Sequence, residues 1–140
     1  MAAYQANITV NLIAGEDLRS DLYEILQFED DSNVAKVIKA TAVTDTVIGV
    51  LAENPSADAT TDGNSVPVTL LQGVVKMKAG ATITAGQLIV PDTTAGRVAG
   101  VANSGALAAD SMAIGVALQS AVDGDIFEVF AMPIGCPHSA

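Results

Sequence analysis

Ile48-Gly49-Val50, inside Val47-Ile48-Gly49-Val50-Leu51, returns 66 residues later as Ile114-Gly115-Val116, inside Ile114-Gly115-Val116-Ala117-Leu118. Each triplet leads through a loop of variable length to an alternating run. The first reaches Val66-Pro67-Val68-Thr69-Leu70, the second Ile126-Phe127-Glu128-Val129-Phe130. Upstream, Leu22–Ile25 followed by Val34–Ile38 parallels Leu88–Val90 followed by Arg97–Val101, each pair split by a polar turn. Alternation at period two marks a half-buried strand. The matched order predicts an all-β single domain, a sandwich or barrel built from two similar halves at about 14–78 and 79–133. Packed together, such halves hide the open strand edges that invite aggregation.

The remaining segments extend this reading. Ile8-Thr9-Val10-Asn11-Leu12 alternates, Val74–Met77 and Met112–Leu118 are apolar, and Asp123-Gly124-Asp125 is a turn signal between Met112–Leu118 and Ile126–Met132. Leu18, Leu22, Ile25 and Leu26 also fit one face of a short helix. The parallel segment of the second half is bracketed by Gly86 and Pro91, which disfavours a helix there. A turn through Asp17–Ser20 followed by a strand at Leu22–Phe28 is therefore expected in the first half. Gly49 and Gly115 stand in mid-strand, where glycine weakens packing, so each is expected to mark a bulge or a close backbone approach. The run containing Tyr4, Ile8, Val10 and Leu12 precedes the repeat and has two readings. It is an extended N-terminal arm, residues 1–13, that adds a strand to a neighbour's sheet, or an edge strand of its own domain. On the arm reading, deleting residues 2–12 leaves the body folded. Residues 136–140 are expected to form a flexible tail.

The chain has 140 residues, half of them hydrophobic and only 4% aromatic, so its core must be Ala, Val, Ile and Leu. Six basic residues stand against sixteen acidic ones, for a net charge of −10. Nucleic acid is excluded as the main partner, because phosphate binding needs clustered Lys and Arg. The acidic excess is concentrated in residues 1–70, which hold eleven acids against Arg19, Lys36 and Lys39. That face favours solubility, and it also suits a basic surface on a partner. No run approaches the ~20 apolar residues that span a bilayer, so no membrane association is expected. The N-terminus has neither a basic segment nor an apolar core of a secretory signal, and synthesis in the cytoplasm is expected.

A search for chemistry returns little. The single histidine, His138, and the single cysteine, Cys136, sit at the end of the chain, where a catalytic imidazole would lack rigid support. Two such ligands also fall short of the roughly four that a structural zinc needs. Neither Gly-x-x-x-x-Gly-Lys-Ser/Thr nor Gly-x-Gly-x-x-Gly occurs, so no phosphate cradle is available. Glu29-Asp30-Asp31 and the Asp58, Asp62 pair lack the spacing of a calcium loop and read as solvated turns. No catalytic residue, metal or cofactor is expected, and the chain reads as something other than an enzyme. Carbohydrate modules usually display exposed aromatics, and here Tyr4, Tyr23, Phe28, Phe127 and Phe130 fall mostly within strand patterns.

The succession Ala14-Gly15-Glu16-Asp17-Leu18, Val47–Leu51 with Asn54-Pro55, Gly73-Val74-Val75-Lys76 with Ala79-Gly80, and Ala85-Gly86-Gln87-Leu88 carries a resemblance. With Ala95-Gly96-Arg97, Ile114–Leu118 and Gly124-Asp125-Ile126-Phe127-Glu128-Val129, it resembles the capsid cement, or head-decoration, proteins of tailed bacteriophages over about residues 8–133. The resemblance implies a structural virion protein on the capsid exterior that bridges major capsid protein subunits, commonly as a homotrimer. It supplies no catalytic residues. A second reading of similar build is a head fibre base or a receptor-facing spike.

Overall fold

The computed structural model describes residues 7–29, 35–52, 65–108 and 110–135. The alternating runs become strands. In the first half these are β1 (Thr9–Ala14), β2 (Ile25–Phe28), β3 (Lys36–Lys39), β4 (Val47–Val50) and β5 (Ser65–Leu70). In the second they are β6 (Gly73–Lys78), β7 (Leu88–Pro91), β8 (Val98–Val101), β9 (Ala113–Ala117) and β10 (Ile126–Gly135). The only helical turn among the described residues is a 3-10 turn at Ser104–Ala106. Ile83 makes an isolated bridge to Ala121. Leu18–Glu24 is turn rather than helix, closed by Glu24 N–H donating to the Asp21 carbonyl at 3.1 Å.

β1–β5 form a closed barrel in the order β1-β3-β2-β4-β5, sealed by parallel pairing of β1 with β3 at Ala14↔Val37. The second sheet runs β6-β10-β9-β7-β8, which is the same cyclic order. Its seal is reduced to one parallel bridge, Ala79↔Val98. Ala14-Gly15 and Ala79-Gly80 thus occupy equivalent places. Gly15 N–H donates to the Val37 carbonyl and Gly80 N–H to the Val98 carbonyl, both at 2.8 Å. The turn into β2 has Tyr23 at φ 65°, and the turn into β7 has Gly86 at φ 91°. Tyrosine there accepts a backbone conformation that glycine adopts freely.

Two expectations need correcting. The division between halves falls at Leu71-Gln72, between β5 and β6, and not at 78/79. β1 is to the first half what β6 is to the second, a correspondence hidden because Thr9–Ala14 and Gly73–Lys78 share no motif. Of the two readings of the N-terminal run, its described part takes the second, a strand of its own domain, and the extended arm falls. From Thr9 to Ile13 every residue of β1 pairs with β5, and Val10 and Leu12 lie opposite Val68 and Val66. The physical reason is that the buried Val66 and Val68 need an apolar neighbouring strand. Pro67 is tolerated in β5 because β4 pairs only with Thr69 and Leu70, leaving one side of the strand unpaired at the proline.

The first barrel is filled by Ala14, Leu18, Leu26, Val37, Leu51, Val66 and Val68. Their equivalents Ala79, Ile83, Ile89, Val98, Ala117, Phe127 and Val129 fill the second. The second cluster also takes in Ile25, Ala40, Val47, Val50 and Leu71 from the first half, so it spans both halves while the first barrel keeps a cluster of its own. Backbone hydrogen bonds cross the same joint: Ile25 N–H to the Gly96 carbonyl, Gly96 N–H to Ala40, Lys78 N–H to Tyr23 and Met112 N–H to Val43, at 2.7–3.0 Å.

Candidate functional site

Among the described residues, an apolar groove and an apolar row stand open on this frame. The first is a groove of about 410 Å³ at one end of the first barrel. Val10 and Leu12 of β1, Phe28 of β2, Val47 and Ile48 of β4, and Leu70-Leu71 line it. Val10, Leu12 and Ile48 pack on the barrel core while staying partly exposed, and Phe28 is 46% exposed. Ile8, also 46% exposed, precedes β1, and its carbonyl accepts from Leu70 N–H at 2.9 Å. Of the residues singled out for contact in the sequence, Val10 and Leu12 are therefore brought together and Ile8 lies beside them. Tyr4 is outside the described residues.

The second surface is a row across the outer face of the second sheet. Val101 pairs with Leu88, Leu88 with Val116, Val116 with Phe130 and Phe130 with Val74. Directly opposed residues share a face. Phe130 is 41% exposed and the other four are half-buried. Sequence reading missed this row. The available signal was that β7 and β9 read as continuous apolar runs, which fits strands covered on both faces.

Gly49 and Gly115 sit where strands crowd. A Cβ at Gly115 would stand 2.5 Å from the Phe130 carbonyl oxygen and 2.7 Å from Val129 Cγ1. At Gly49 it would meet the Thr69 carbonyl oxygen and stand 2.7 Å from Val68 Cγ1. β2–β4 pairing also shifts register beside Gly49.

Much of the acidic excess described in the first half is tied up in local hydrogen bonds and ion pairs. Asp45 accepts hydrogen bonds from Thr41 N–H, Ala42 N–H and Gln27 Nε2 at 2.7–2.9 Å, and Glu16 accepts from Lys39 N–H at 2.7 Å. Asp17 binds Arg19 at 2.6 Å, and this hydrogen bond holds its carboxyl at about 2. At the joint between halves Glu24 is buried, its Oε1 3.7 Å from Lys78 Nζ, while Oε2 has no hydrogen-bond partner among the described residues. Burial raises the Glu24 carboxyl above its usual range, aided by Asp21 and opposed by Lys39, Lys78 and Arg97. A raised folded-state value means the folded form holds its proton more tightly than the unfolded chain. The resulting stability is complete below the ordinary carboxylate range and is lost as pH rises through the raised value. Glu24→Gln is therefore expected to melt like the parent near pH ~4 and a few degrees higher near pH ~7. Thermal midpoints across that range check it, and equal pH slopes for the two proteins would contradict it.

Among the described residues no three His, Cys, Asp or Glu side chains gather as a metal site. Cys136, His138, Asp58 and Asp62 lie outside the described residues. No described helix is long and apolar enough to cross a membrane.

Comparison with known proteins gives one kind of result. No family model matches the chain, and no curated protein matches it in sequence. Among solved structures it is similar to the head fiber gp8.5 N base of bacteriophage phi29, with a TM-score of 0.64 at 13% identity. The match covers 95% of this chain and all of that one. At that identity the likeness establishes the fold.

Proposed function

We propose that this chain is a structural component of a phage virion that seats on the outside of the head, in the manner of a head fibre base. The observation that carries this reading is the whole-length likeness to a head fiber base, both β units included. Bridging of major capsid protein subunits, the cement role, is compatible with the same architecture. The head fibre base is the better supported of the two, because the solved relative in fold is such a base.

Purified heads lacking this protein, mixed with the 140-residue chain and sedimented, test the reading. The chain is expected to pellet with the heads, saturating at a copy number well below that of the major capsid protein. Saturation near one copy per capsid subunit would select the cement role instead. Absence from the pellet at every concentration would overturn both.

A further inference from the structure

The two halves differ in which of their surfaces are covered. In the first half the outer row Ala40, Ile25, Val50 and Thr69 is 0–3% exposed. Its apolar members belong to the same buried cluster as Val75, Met77, Ile114 and Ala131, which form the mouth of the second barrel. The row of the first half and the mouth of the second thus form the internal joint. By strand register, Ala40, Ile25, Val50 and Thr69 correspond to Val101, Leu88, Val116 and Phe130, the row left open on the second half. Val75, Met77, Ile114 and Ala131 correspond to Val10, Leu12, Ile48 and Leu70, which line the open groove on the first half. Each molecule therefore displays one unused copy of each side of its own joint.

We propose that the chain self-associates head to tail, the Phe130 row of one copy covering the groove of the next as the Ile25 row covers the second barrel within one chain. The polar parts of the joint agree. The buried Glu24 and its partner Lys78 correspond by register to Gln87 and Ile13, both uncharged, so this pair has no charged counterpart in the contact between copies, and the Lys76–Glu128 pair stands beside the row. The exposed row is also more apolar than its template, with Phe130 where the buried Thr69 stands and Val74 where the exposed Thr9 does. Such a contact joins two different patches and closes into a ring or runs on as a filament, according to the rotation at each step. This inference is independent of attachment to a phage head.

Light scattering coupled to size exclusion tests it on the full chain. The parent is expected at a multiple of 14.1 kDa. Phe130→Asp and Phe28→Asp are each expected as monomers, since each spoils one patch. An equal mixture of the two retains one good row and one good groove, and is expected to yield dimers and nothing larger. Leu88→Gln with Val10→Gln forms a milder second pair should an aspartate variant fail to fold. A monomeric parent, a Phe28→Asp protein that still assembles, or a mixture of folded variants that stays monomeric would each overturn the proposal.

Discussion

Valine in place of Gly115 is expected to destabilise the protein by about 3 kcal/mol, the upper end for overpacking. The reason lies in what the new side chain would meet. Phe130 O at 2.5 Å and Ala131 Cα at 3.1 Å belong to the backbone of β10, which cannot rotate aside as a side chain can. Moving β10 would disturb its pairing with β6 over six consecutive positions. Val129 Cγ1, at 2.7 Å, is itself in the core and has no free volume to enter. Alanine is expected to show most of the same loss, because the clash begins at Cβ. Gly105→Ala is the control, since its Cβ would meet only the Asn103 side chain at 3.2 Å. Denaturant midpoints measured with the slope held in view distinguish these, and a Gly115→Val protein as stable as the parent would contradict the crowding.

Removal of residues 2–12 is expected to unfold the first barrel, the reverse of what an appended arm would give. The deletion takes four of the five positions at which β1 pairs with β5. It leaves only Ile13 and Ala14 opposite β3, and exposes Val66 and Val68, both fully buried. Each backbone hydrogen bond lost costs about 0.5–1.5 kcal/mol net, and each buried valine bared costs roughly 1.5–3 more. The total is comparable with the ~5–15 kcal/mol that holds a domain folded. Amide hydrogen exchange along β3 and β5 reads the outcome directly. Retained protection there would return the segment to the status of a dispensable arm.

The sequence shows the duplication because Gly49 and Gly115, where a Cβ would run into the backbone of the neighbouring strand, stand in the same Ile-Gly-Val setting. It conceals β1 and β6 as equivalents because an alternating strand tolerates any residue of suitable polarity, and Val10-Asn11-Leu12 shares only its pattern with Val75-Lys76-Met77. Tyr23 disguised the turn that Gly86 announces, since a left-handed tyrosine carries no compositional signal. The outer row was overlooked for a different reason. Whether Leu88 and Val116 face a neighbouring half or open space depends on tertiary placement, and the same letters serve Ile25 and Val50 when buried. Alternation at period two assigns faces to a strand without saying what lies against them.

Leu71 and Gln72 are all that separates the last strand of one barrel from the first of the next, and four backbone hydrogen bonds cross the joint between the halves. So short a link over a shared buried cluster opposes swivelling of one barrel on the other, and the pair is expected to pass a load from end to end as one stiff body.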